Sequence, residues 1–239
     1  MSKPNEFECV ELRYNPKASA SLSIDDPSSY IDKQSGWIAL VNADGTEAKI
    51  GEFCLSVIDA CSASNDRVPL SEVFAEDHDL ADYYDALYSP AQYSPELRHF
   101  KKKVMRVNRL DDGYFNPTLL IIDHIAINPE HQGKRYGLLA MRALMRRHQR
   151  GVLIIAAKPY PPQYEGGVSF SIAREKAKAF GVANCDLAKA AAFAKLRLHF
   201  ARLGFNLCAY QARPMWSGRL SAVCPLSNKY SLHKKWHRL

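Results

Sequence analysis

The chain has 239 residues, 47% of them hydrophobic and 24% charged, enough for a substantial core in one domain or in one domain with an elaboration. Its six cysteines (Cys9, Cys54, Cys61, Cys185, Cys208 and Cys224) contain no C-x-x-C pair and no metal-type spacing, which argues against a disulfide scaffold or a metal module and for reduced thiols in a cytoplasmic protein. The formal net charge of +7 is unevenly divided, because residues 1–120 hold 12 Lys+Arg against 20 Asp+Glu and residues 121–239 hold 20 against 5.

In chain order, residues 7–14 alternate well enough for a first strand, and residues 25–33 are expected to form a short helix. Residues 1–8 are polar and no apolar run approaches a membrane span, so neither a secretory leader nor a membrane partner is expected. Residues 36–42 and 50–60 read as two strands joined through Ala43, Asp44 and Gly45, since Asp-Gly suits a tight hairpin turn. Consecutive antiparallel strands ahead of a parallel unit predict a mixed sheet.

Residues 64–117 are longer than a simple connection needs and read as an elaboration with its own helices, within a single domain spanning 1–239. The first part interleaves Glu72, Glu76, Asp77, Asp79, Asp82 and Asp85 with Phe74, Tyr83, Tyr84 and Tyr88; the second is basic, from Arg98 to Arg109. The simpler reading is an amphipathic helix with tyrosines on the core and acids in water. The other is a lid that presents carboxylates and tyrosines to a cationic amine.

Residues 118–155, TLLIIDHIAINPEHQGKRYGLLAMRALMRRHQRGVLII, carry the strongest pattern. The run 119–127 is β-branched and interrupted only by Asp123 and His124, as in a strand buried on both faces. Pro129 ends the ladder, since it lacks a backbone donor. Beyond the loop, Leu138, Met141, Leu144, Met145 and His148 share one helical side and Arg135, Arg142, Arg146, Gln149 and Arg150 the other, with Gly151 as the stop. The helix is expected to begin near Gly133 or Lys134, aiming unpaired N–H groups and the positive end of its dipole at a phosphate. A second apolar run then gives a strand–loop–helix–parallel strand unit.

Further on, Lys158-Pro159-Tyr160-Pro161-Pro162 forces the chain out of regular structure where a cleft would open, which makes Tyr160 and Tyr164 candidates to line it. Residues 171–180 and 186–203 are expected helices; in the second, Phe193, Leu196, Phe200 and Leu203 form an apolar stripe. Residues 205–210 and 219–224 complete the sheet.

The stretch 125–137, IAINPEHQGKRYG, resembles the acetyl-CoA binding signature of the GNAT superfamily of N-acetyltransferases: Gln or Arg, two residues, Gly, one residue, then Gly or Ala, after a strand. Downstream, residues 199–205, HFARLGF, are similar to that superfamily's F-Y-x-x-L-G-F helix end. Together the two cover roughly the C-terminal half. The chain departs from the pattern at Arg135, where a glycine is usual, at Phe200, where a tyrosine is usual, and at Phe193, where an asparagine is common. A guanidinium at Arg135 can itself bind phosphate.

The resemblance implies the acyl-CoA N-acyltransferase fold, α/β with a mixed, mostly antiparallel sheet, a central splayed parallel strand pair and flanking helices. It also implies acetyl-CoA as co-substrate, held by the backbone of Ile125, Ala126 and Ile127 and by Gln132, Gly133, Lys134, Arg135, Tyr136, Gly137 and Leu138, with no metal. The acceptor is an amine, which is protonated at neutral pH and needs a base. Asp123 is the candidate, since strict alternation sets it beside Ile121, Ile125 and Ile127 on one face. His124, expected to face a packed helix, is the alternative, and Tyr160, Tyr164 or Tyr210 is a candidate proton donor in place of Phe200. Two rival readings stay open. One is a CoA-binding module without catalysis, consistent with Arg135 and Phe200. The other is a transferase acting on protein- or RNA-linked amines, consistent with the basic half; nucleic acid alone is the weaker explanation of that charge, because no nucleic-acid motif accompanies it. A homodimer is compatible with the sequence but not required by it.

Overall fold

The computed structural model describes residues 9–16, 26–88, 104, 118–152, 154–157, 189–209 and 220–225. Seven strands form one sheet in the order β1-β2-β3-β4-β5-β7-β6. They are β1 (Cys9–Tyr14), β2 (Ile31–Val41), β3 (Glu47–Ile58), β4 (Leu119–Ile127), β5 (Ile154–Ala157), β6 (Asn206–Ala209) and β7 (Leu220–Pro225). Every neighbouring pair is antiparallel except β4 and β5, which run parallel. The helices are α1 (Ala60–Asn65), α2 (Leu70–Ala75), α3 (His78–Leu87), α4 (Tyr136–His148) and α5 (Lys189–Arg202). A mixed α/β sheet with a parallel pair is thus present as expected.

The helix expected at 25–33 is a single 3-10 turn, Pro27–Tyr30, and Ile31 already belongs to β2. Asp26 caps this turn by accepting from the Ser28 N–H at 2.9 Å, and Pro27 presets its first φ. Tyr30 is buried, and the chain leaves the turn extended to pair with β3 over eleven residues. The β2–β3 hairpin closes where expected, with Gly45 at φ 81 and the Gly45 N–H bonded to Asn42 O at 3.0 Å.

Two apolar clusters flank the sheet. On one face Ile58, Leu119, Ile121 and Ile154 meet Val73, Phe74, Leu80, Tyr84 and Leu87 of α2 and α3. On the other, Phe53, Leu55, Leu120, Ile122 and Ile155 meet Tyr136, Ala140 and Leu144 of α4 and Phe200 and Leu203 at the end of α5. Each fully buried aliphatic side chain contributes roughly 1.5–3 kcal/mol. The tyrosines of the acidic segment pack on the core, as the simpler reading had it. Phe74, Tyr84 and Tyr88 stack with centroids 5.4 to 5.9 Å apart, whereas Glu72, Glu76 and Asp85 are exposed.

β3 and β4 lie close together at Gly51, where a Cβ would come within 2.2 Å of Ala126 O. Only glycine lets the backbones approach there. This contact and the bond from Asn128 N to Ile50 O, 2.8 Å, hold the end of β4 in place ahead of the loop.

Candidate functional site

Strict alternation along β4 breaks at Asp123. Leu55 pairs with Ile122 and Cys54 with His124, so two consecutive residues of β3 span three of β4 and Asp123 is the extra one. The face assignment from period two therefore fails. Ile121 belongs to the α1–α3 face, while Ile125 and Ile127 pack against the α4 face together with Leu120 and Ile122. The bulge re-aims Asp123, whose Oδ2 accepts from Ser56 Oγ at 3.0 Å. Ser56 is buried, and the Lys33 ammonium, bonded to Asp77, lies close enough to Asp123 to be stabilised by it. That proximity and, above all, the Asp77 bond raise the Lys33 pKa, against the opposing effect of burial.

His124 does not face a packed helix. Its side chain is 40% exposed, with Nε2 3.7 Å from Glu52 Oε1. The same bulge is the cause, because the extra residue moves His124 off the face that holds Ile122 and Ile125. Parallel pairing with β5 runs from Leu119–Ile154 to Ile122–Ala157.

The loop after β4 is held by its own side chains. Asn128 Nδ2 donates to Lys49 O at 3.0 Å, a 3-10 turn covers Pro129–His131, and Gln132 Nε2 donates back to Ile127 O at 2.9 Å. Gly133 then takes φ 80. The helix starts later than expected, at Tyr136, because Arg135 sits in the left-handed region at φ 66, ψ 10 and cannot be a helical residue. Arg135 O accepts from the Leu138 and Leu139 N–H groups, both at 3.1 Å, yet its side chain gives the helix no cap. The start of α4 thus has the character of an anion site.

The bulge, the end of β4 and the helix start open on one cleft of about 460 Å³. Asp123, His124, Ile125, Ile127, Gln132, Gly133, Arg135, Tyr136, Gly137 and Leu138 line it. Lys134 is exposed and Ala126 directs its carbonyl at Gly51; neither is among the lining residues. Tyr160, Tyr164 and Tyr210 lie outside the described residues, as does the expected helix at 171–180. Phe200 lines the cleft as a core residue, 5.1 Å from the Phe205 ring and nearly perpendicular to it.

Of three further lining residues, sequence reasoning assigned no role to His131 and His199 and placed Tyr83 either on the core or in a lid. His131 stands 6.3 Å from the Tyr136 ring, Tyr83 reaches the cleft from α3 at 2% exposure, and His199 faces it from α5. His131 and His199 stood inside the two quoted motifs, and being histidines in a basic segment was their only signal. Among the described residues no group of three or more His, Cys, Asp or Glu could hold a metal ion, and no helix is long and apolar enough to cross a membrane. Cys9 and Cys61 are exposed free thiols.

The class defined by these elements is an α/β protein with a mixed sheet whose cleft opens where the parallel pair ends. No family model matches the chain, and no curated protein matches it.

Proposed function

We propose that the chain is an acyl-CoA dependent N-acyltransferase with the acyl-CoA N-acyltransferase fold, moving acetyl from acetyl-CoA to a primary amine. One observation carries this reading: a single cleft joins an anion-type helix start to a strand bulge that presents a carboxylate. The pyrophosphate of CoA would lie against the backbone at Gln132–Gly137, where Gly137 leaves room and Arg135 adds charge. Its pantetheine would follow the β4 edge, with the N–H groups of 125–127 turned to the thioester oxygen.

The amine enters from the Asp123 side. Asp123 takes its proton, directly or through water, and the nitrogen attacks the thioester carbon. The new C–N bond forms, the nitrogen's second proton passes to water or to the departing sulfur, the C–S bond breaks, and the electron pair leaves on sulfur. A thiolate with a pKa near that of cysteine departs at neutral pH without a dedicated acid, so a phenylalanine at position 200 is tolerable. A CoA-binding module without catalysis is the second reading, favoured by that same buried Phe200.

The test is acetyl-CoA turnover over a panel of amines, read as free thiol, beside calorimetric titration with CoA. Binding with turnover supports the transferase. Binding without turnover on any amine supports the module, and absence of binding overturns both.

A further inference from the structure

α5 carries Lys195, His199 and Arg202 at spacings of four and three, so the three share one side of the helix. His199 lines the cleft between Leu196 and Leu203, while Phe200 and Leu203 anchor the helix in the cluster that also holds Tyr136 and Ala140 of α4. The histidine and the phosphate-type loop are therefore walls of one cavity. Its imidazole is half-buried, and burial first, then Arg202 and Lys195, hold its pKa below the ordinary value of 6.5. In the empty cleft at neutral pH it is an uncharged ring among cations.

The groups across the cavity sharpen this picture. Arg135 and His131 face it from the loop, and Asp123 and His124 stand on β4. His124 has Glu52 as a neighbour and Asp123 has Ser56. Tyr83 and Tyr136 bring the phenol groups of the wall. A polyanion seated between α5 and the loop would offset the Lys195 and Arg202 charges and reverse the balance at His199. The charged imidazole would then be the favoured form, with a new charge-assisted donor for a phosphate oxygen.

We propose that His199 is a phosphate-binding residue of this cleft that takes up a proton as the polyphosphate docks. The proposal rests on the acyl-CoA reading for the identity of the natural ligand, but the chemistry it needs is only a polyphosphate. Binding then tightens as pH falls from about 8 to about 6, the range in which free imidazole begins to charge.

The full chain is titrated calorimetrically with coenzyme A and, separately, with inorganic pyrophosphate, in two buffers of different protonation enthalpy. The expected result with either ligand is net proton uptake near pH 7. In His199→Gln the uptake is largely lost and affinity falls roughly fivefold. Arg197→Ala, an exposed site two residues away and so on another side of α5, should keep the uptake although it removes a full charge. Pyrophosphate binding with uptake but no CoA binding overturns the acyl-CoA reading and leaves the role of His199 standing. Binding without uptake, or uptake that survives in His199→Gln, overturns the role of His199. Binding of neither ligand overturns both.

Discussion

At the scale of single residues, Arg135 and Asp123 are each in an unusual backbone setting with chemistry attached. A non-glycine residue in the left-handed region costs about 1–2 kcal/mol, part of which glycine would return in unfolded-chain entropy. Arg135→Gly should therefore raise stability by up to about 1 kcal/mol in urea unfolding, while Arg135→Ala should weaken CoA binding and lessen its salt dependence. Arg146→Ala, exposed further along α4, should do little to CoA affinity. Equal losses at 135 and 146 would mean that diffuse charge alone attracts the ligand. For Asp123, the Asn variant should keep CoA affinity yet lose about 100-fold in turnover, with partial recovery at higher pH as the amine arrives deprotonated. Normal turnover in Asp123→Asn would make the carboxylate structural, held by Ser56 for the sake of the bulge.

Among elements, the start of α4 and the α1–α3 layer can be tested separately. Gly137 lies in the first turn of α4 and on the cleft wall, where a Cβ would only touch Ile127 Cγ1 at 3.4 Å. The protein itself accommodates a side chain there, so Gly137→Glu should fold normally and weaken CoA binding by bulk and like charge. Unchanged CoA affinity in that variant would remove the loop from the ligand site. Phe74 is fully buried between sheet and tyrosines, and Phe74→Ala should cost about 3–5 kcal/mol. A loss below about 1 kcal/mol, measured by urea denaturation, would show that α2 and α3 are loosely attached rather than part of the core.

For the whole molecule, pH couples to stability through two histidines. His148 and His199 both have pKa values below 6.5, in each case first through burial, then through Arg147 for His148 and through Arg202 and Lys195 for His199. A histidine with a folded pKa below its unfolded one favours the folded state while neutral. That contribution is present above about pH 6.5 and is lost as pH falls through the lowered folded values. The urea midpoint should therefore drop as pH falls below about 6.5, before the carboxylates with lowered pKa (Asp26, Asp44 and Glu47) begin to protonate. A flat midpoint across this window, or the same drop in a protein carrying His148→Gln and His199→Gln, would refute the linkage.

Local physics made much of this molecule legible from sequence. The β2–β3 turn follows from Asp44-Gly45, the end of β4 from Pro129, and the buried side of α4 from the spacing of Met141, Leu144 and Met145, because each rests on neighbours a few residues apart. The acidic segment, too, showed in its tyrosines the side that would be buried. Other features depended on contacts distant in the chain. The bulge at Asp123 exists only through the register of β4 against β3, some 67 residues away at the Ser56 contact, and a period-two pattern carries no mark of one extra residue. The late start of α4 follows from the turn that Asn128 and Gln132 tie back to the sheet, and His199 became a cleft residue only when the end of α5 joined the apolar cluster that also holds α4. Sequence periodicity records which side of an element is apolar; where two elements meet, and hence which polar side chains share a cavity, is decided by tertiary packing.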